Sequence, residues 1–506
     1  MSFTDGSYMY GLYKKAISYK QNSILVNSFK KLGNIFKCSI VYKSLKKFPG
    51  EERNLETGLV TSTANKIIGT ADKKCTEFRL NHESIFRSSI FITRTECSKF
   101  LILPVLYFLI DYVLRNIIMV DMISSVWDEV MLAGGLFLGL FRFVFKSEGA
   151  YGKTTPVGIP IILFIMFFVS LMLINSPLTS IGIEGVRAVT QYMLWYFVAI
   201  MLIGSYADVE KIYTWFLLTG TALALHGIYQ FVTNVPMPAG WVDMAEKGVR
   251  TRSFSIIGSP NILGSVMTLL IPMSTALFFE SKSFFKKSMY AFATAVMALC
   301  LVFTQSRGAW IGFGVAVFVF FLIYDRKYIL PLVFAGLFVF FMVPQVYDRI
   351  TYMLSQEYML SSMTGGRLVR WQNGLELLKD NFWLGTGIGR FGGAVAMNHK
   401  DLFPDTYYMD NYYLKLAVEG GILALITFVL LMLSVLKRGF GALLNQPNKR
   451  YKLMIIGMLS GMIGVMAHNF VENVFEVPAM VTYFWIITAM VIYLGYNRKV
   501  EIKELI

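Results

Sequence analysis

The chain has 506 residues, of which 55% are hydrophobic and 16% charged, with a mean hydropathy of +0.56 and a formal net charge of +15. A water-soluble globule of this length is excluded, because its surface would need far more charge; the composition predicts an all-α, polytopic membrane protein. The four cysteines, Cys38, Cys75, Cys97 and Cys300, are scattered, so neither a disulfide framework nor a CxxC metal centre is expected.

Residues 1–98 form one compositional unit, with 16 Lys and Arg against 8 Asp and Glu. The start has no charged segment leading directly into an apolar core with a small-residue cleavage site, so the first span is expected to act as the signal anchor. Over residues 10–48, basic residues alternate with Ile, Leu and Phe at roughly helical spacing, which suits either an in-plane helix on an anionic leaflet or a solvated basic tail. Membrane lipid, and not nucleic acid, is the expected partner of this charge.

Residues 99–506 are read as the membrane domain. Apolar segments long enough to span lie near 99–118, 124–145, 157–174, 186–204, 212–232, 260–279, 289–304, 308–324, 328–344, 410–436, 453–470 and 478–496, about twelve in all. The seventh and eighth are parted only by TQSRGAW. Counted as twelve, they place KSEGAYGK, SYADVEK, ESKSFFKKS, DRK, KRGFGALLNQPNKRYK and NRKVEIKE on the side of the basic N-terminus. By the positive-inside rule that side is cytoplasmic, with both termini. The opposite side has short connections almost free of Lys and Arg, together with two longer ones, 233–259 and 345–409, that carry arginines.

Arginine on the outer side runs against the charge rule and marks candidate chemistry. Arg187, in GIEGVRAVTQ, is read either as a cavity-lining cation or as a local partner of Glu184. Arg250 and Arg252 precede a turn and the helix start Pro260-Asn261, where free backbone N–H groups and bidentate guanidinium forks suit phosphate oxygens. Arg307 sits on the short TQSRGAW break. From Gly366 to Asp380 apolar residues recur at near-helical spacing, predicting an amphipathic helix with Arg367 and Arg370 on one face. The following GTGIGRFGG matches a dinucleotide fingerprint only superficially, since no strand precedes it, and is read as a flexible turn. Within the first span, Asp111 and Arg115 are one turn apart and are expected to neutralise each other.

SRGAW, the R-x-x-RW helix leading into G-x-G-x-x-x-F, and DNYYLKLAVEGGILALITF together resemble the C-terminal signature of the O-antigen ligase and Wzy-type polymerase family. The R-x-R…PNILG loop and the Arg187 segment resemble its earlier outer segments, so the likeness covers about residues 99–496. It implies a GT-C-like membrane fold with a large extracytoplasmic loop between spans 9 and 10. It further implies metal-independent glycosyl transfer from an undecaprenyl-pyrophosphate-linked oligosaccharide at the outer face of a bacterial plasma membrane, without cofactor.

On that resemblance Arg187, Arg250, Arg252, Arg307, Arg367 and Arg370 are the candidate pyrophosphate ligands. Members of the ligase type have a His-Asn pair opening the span after the large loop, where this chain has Asp410-Asn411. Asp410 is the candidate base, a weak one unless desolvation raises its pKa, and it serves equally well as a helix cap. Asn411 joins it as a catalytic candidate, and so does Glu419, two turns into the tenth span, where burial of a carboxylate is costly. His399 and His468 are substitute bases.

The departure from His-Asn favours polymerisation of repeat units over ligation to a lipid, cell-wall or protein acceptor. A transporter using Asp111, Arg115 and Glu419 is the reading from another class. Against it, the connection between spans six and seven is only ESKSFFKKS, whereas two-halved carriers tend to have a long one there. Residues 1–98 are a candidate surface for polysaccharide-assembly proteins.

Overall fold

A computed structural model describes residues 59–82, 96–146, 155–176, 178–237, 251–364 and 366–496. Every regular element among them is helical. The basic segment over 10–48 and Arg250 lie outside the described residues.

The helices are α1 (Leu59–Asn81), α2 (Tyr107–Val113), α3 (Asp121–Lys146), α4 (Gly158–Asn175), α5 (Thr179–Thr190), α6 (Trp195–Leu202), α7 (Tyr206–Val232), α8 (Pro260–Glu280), α9 (Phe284–Phe303), α10 (Arg307–Tyr324), α11 (Ile329–Met342), α12 (Pro344–Met353), α13 (Gln356–Thr364), α14 (Arg367–Asp380), α15 (Tyr412–Asn445), α16 (Lys449–His468) and α17 (Pro478–Tyr496). Among the described residues nine helical segments are long and apolar enough to cross a membrane, one of them Thr179–Leu202, in which a 3₁₀ turn joins α5 to α6. Two more candidates are bent pairs: Cys97–Val105 with Tyr107–Ile118, turned by 67°, and Arg326–Met342 with Val346–Met353, turned by 90°. The segment expected at 124–145 is α3, which has the length to span but brings Glu129, Arg142 and Lys146 with it. Against the expected set of about twelve, the described residues give nine candidate spans, or eleven with the two bent pairs, and α3 lies at the position of the remaining one.

The centre of the bundle is α8, α16 and α17, apolar on all faces and buried along nearly their whole length. A stripe of small residues lets α16 approach its neighbours closely. A Cβ on Gly464 would lie 2.7 Å from the Ala316 Cβ and 2.8 Å from the Gly312 carbonyl of α10, and one on Gly457 would meet the Pro272 carbonyl of α8 at 2.8 Å. Between apolar helices in lipid, close backbone approach of this kind is a main source of packing energy. By contrast α11 buries only Ile329, consistent with a helix at the lipid-facing edge.

The polar ends of the bundle differ in kind. At one end Arg450 joins Glu210 (Nε to Oε1, 2.9 Å) and Glu280 (Nη1 to Oε2, 3.1 Å), tying the starts of α7 and α16 to the end of α8. The other end gathers the segments 251–259, 304–306, 343–411 and 469–477.

Candidate functional site

The break between α9 and α10 organises the second end. Gln305 is left-handed (φ 50°), an uncommon conformation for a residue with a side chain, so Thr304 and Gln305 turn their carbonyls out of the helix. Arg252 Nε donates to the Thr304 carbonyl (2.8 Å), and Arg349 Nη2 on α12 donates to the Gln305 carbonyl (3.1 Å). Ser306 caps α10 by accepting from Ala309 N–H, and the next residue, Arg307, stacks its guanidinium 4.8 Å from the centre of the Tyr358 ring on α13. Three arginines from separate segments thus meet at a three-residue break.

A chain of polar contacts runs on from there. Arg252 Nη2 donates to Asn261 Oδ1 (3.0 Å) in the first turn of α8, and the Asn261 amide donates to Glu472 Oε2. The same Glu472 oxygen lies 3.5 Å from Arg367 Nη2, and Arg367 Nε lies 3.6 Å from Asp410 Oδ2. Arg370 Nη1 closes on that Asp410 oxygen at 2.9 Å. Arg370 is held in turn by the Gly366 and Tyr408 carbonyls, while its own carbonyl accepts from the Tyr407 hydroxyl. Arg367 and Arg370 thus meet the carboxylates Asp410 and Glu472, Arg252 joins them through Asn261, and Arg307 and Arg349 stand at the adjoining break.

Burial shapes their protonation. It raises the Asp410 carboxyl above its ordinary range, against the pull of Arg367 and Arg370. It raises Glu472 likewise, with Arg367 opposing and the Asp410 charge adding to the rise. Arg252 is pushed down to about 10, first by burial, with Glu472 restoring part of the charge preference. The arrangement can bind an anion through guanidinium forks while keeping a proton acceptor beside it.

Of the expected residues, Arg252, Arg307, Arg367, Arg370 and Asp410 come together. Arg187 does not join them: it lies within α5, paired with Glu129 of α3, and its Nε donates to Gln191. Glu184, its expected local partner, instead meets His399 Nε2 at 3.0 Å. Asn411, and not Asp410, caps α15, accepting from Leu414 N–H at 3.0 Å. His468 is buried, with Nδ1 2.7 Å from the Ser265 hydroxyl. Asp111 and Arg115 pair at 2.8 Å, as expected.

Glu419 belongs to a different constellation. Lys415 Nζ lies 3.2 Å from Glu419 Oε2 and 2.8 Å from Glu476 Oε2. Glu419 accepts from Phe391 N–H (3.2 Å) and Glu476 from Ala394 N–H (2.8 Å), so this buried triad fastens the GTGIGRFGG segment. The turn read as flexible is pinned. Gly385, Gly387, Gly389 and Gly392 have positive φ, and Thr386 and Gly387 donate to the Val418 and Glu419 carbonyls at a break in α15 where Gly421 has φ 73°. No strand precedes it among the described residues, so it is a helix-docking turn and not a nucleotide loop.

Sequence reading missed Arg349, Asn261, Lys415, Glu472 and Glu476. Glu472 carries a visible signal: it is an acid in a short connection between two apolar spans that has no Lys or Arg. Arg349 carried the same outer-side anomaly as Arg307.

The fold and its cationic end define a multi-pass, all-helical membrane protein. Residues 292–429 match the family model described as O-antigen ligase, which supports the O-antigen ligase and Wzy-type family for this chain. The match runs from α9 through the loop into α15, and takes in Arg307, Arg349, Arg367, Arg370 and Asp410 but not Arg187, Arg252 or Glu472. No curated protein matches the chain.

Proposed function

We propose that the protein polymerises polysaccharide repeat units, transferring glycan from an undecaprenyl-pyrophosphate-linked oligosaccharide at the outer face of the plasma membrane, with both termini cytoplasmic. The observation that carries this reading is the buried Asp410 held between Arg367 and Arg370, with Arg252, Arg307 and Arg349 gathered at the neighbouring break between α9 and α10. An acceptor hydroxyl attacks the anomeric carbon, a new C–O bond forms there, and the bond to the pyrophosphate oxygen breaks. The hydroxyl proton passes to Asp410. Arg252, Arg307, Arg367 and Arg370 stabilise the charge that grows on the departing lipid pyrophosphate, with Arg349 beside them. Residues 99–506 are the catalytic membrane domain, and residues 1–98 are a site for assembly partners.

The orientation agrees with the placement of the Arg450 network at the end opposite the site, where SYADVEK, ESKSFFKKS and KRGFGALLNQPNKRYK contribute its three members. Asp111 and Arg115 pair with each other at 2.8 Å, which gives them a local role without the transporter reading.

The test is to incubate purified protein with a synthetic undecaprenyl-pyrophosphate oligosaccharide, without metal or nucleotide sugar, and to read glycan length on a gel. A ladder supports polymerisation. Transfer seen only after a lipid or cell-wall acceptor is added would make the enzyme a ligase, and unchanged substrate in both cases would refute glycosyl transfer.

A further inference from the structure

We propose that Glu472 is the internal counter-charge of the arginine cluster, sharing Arg367 with Asp410 so that the site is both partly neutralised while empty and tuned as a proton acceptor. This deepens the proposed function, since its second half rests on Asp410 acting as the base.

The geometry is that of one guanidinium between two carboxylates from different parts of the chain. Asp410 precedes α15 and Glu472 follows α16, and their oxygens lie 3.6 Å and 3.5 Å from Arg367. Both contacts are long for a charge-assisted hydrogen bond, so neither carboxylate engages Arg367 tightly and an incoming anion can displace them. The Glu472 side chain is 3% exposed, against 11% for Asp410. Glu472 is thus the carboxylate set behind the cluster and Asp410 the one nearer its opening. Asn261 fixes Glu472 from the α8 side and couples it to Arg252.

The charged groups around Asp410 are Arg367 and Arg370 from α14 and Glu472 from the segment after α16. Arg252, in the loop before α8, interacts electrostatically with Glu472, Arg307 and Arg367. Lys415 and Glu476 act on the Tyr408 hydroxyl, as Glu472 and Asp410 also do. Of these, Glu472 is the negative charge that touches the same arginine as Asp410. Removing it lowers the proton affinity of Asp410 and strengthens the cluster's hold on anions.

The experiment compares full-length wild type, Glu472→Gln and Glu472→Asp. It measures binding of inorganic pyrophosphate at low salt and the pH dependence of turnover with the lipid-linked oligosaccharide. For Glu472→Gln, pyrophosphate should bind roughly threefold or more tightly, and the acid limb of kcat should move down by roughly half a pH unit or more. Glu472→Asp, which keeps the charge, should stay near the wild type. Unchanged or weaker pyrophosphate binding in folded Glu472→Gln would overturn the proposal, as would Glu472→Asp behaving like Glu472→Gln. Should Glu472→Gln not accumulate, Asp410→Asn serves for the binding arm, because loss of the other shared carboxylate must also tighten pyrophosphate; unchanged affinity there refutes the sharing. Tighter pyrophosphate in Glu472→Gln, with no acid limb in the wild type, would instead remove Asp410 as the base and leave the counter-charge standing.

Discussion

Replacing Lys415 by methionine removes the cation that touches both Glu419 and Glu476, whose side chains are 1% and 5% exposed. Breaking a buried ion pair by deleting one partner costs about 3–5 kcal/mol, because an uncompensated charge stays behind. Each glutamate keeps one backbone donor, Phe391 N–H at 3.2 Å and Ala394 N–H at 2.8 Å, so the lower end of that range, about 3 kcal/mol, applies. The loss should fall on the 385–394 turn, which those two bonds anchor. Protein purified in detergent should show an earlier thermal transition by tryptophan fluorescence, together with new proteolytic cleavage between residues 385 and 406. Glu419→Gln should cost much less, because the amide oxygen can still accept from Phe391 N–H and the triad loses its surplus negative charge. A Lys415→Met protein with an unchanged transition and an equally protected turn would refute the clamp. Glu419→Gln that is as stable as wild type yet wholly inactive would return Glu419 to a catalytic role.

Arg367→Ala and Arg370→Ala should each lower kcat/KM by about 10²–10³ at normal protein level, the usual cost of losing one donor to developing charge. Arg187→Ala, whose partner is Glu129 and which stands outside the cluster, should cost less than tenfold; an equal loss in steady-state turnover would bring α5 into the site. Because burial raises Asp410, its carboxylate is present above that raised pKa and disappears as pH falls through it. Wild-type turnover should therefore have an acid limb above the ordinary aspartate range, and Asp410→Asn should lose both the limb and most activity; an unaltered profile would exclude Asp410 as the base. Gly464→Leu should prevent stable assembly, since even a Cβ there lies 2.7 Å from Ala316, and normal folding would contradict the packing of α16 on α10.

The family match spans only residues 292–429, and its boundaries fall where the chemistry suggests they should. Arg307 and Arg349 of the break, the helices α12 and α13 and the amphipathic α14 lie inside it. Arg252, Asn261 and Glu472, which complete the polar chain, come from helix ends on either side. The site is thus built by a contiguous domain and finished by its neighbours.

What the sequence determined by itself was whatever depends on local apolar length and local period. The all-helical membrane class, the separation of α9 from α10, the helix carrying Arg367 and Arg370, and the Asp111–Arg115 pair were all legible, because each is decided within a few turns of one segment. Only the tertiary structure decided which charges meet. Glu472 is far along the chain from Arg367 and Asn261, and no spacing rule links them. It also decided that Arg187 turns to α3, that Asn411 caps a helix, and that Glu419 pairs with Lys415 and accepts from the 385–394 turn. The physical reason is that a buried charge takes its role from whatever partner the packed helices bring within a few ångströms, and that partner is set by the crossing of helices and not by the order of residues.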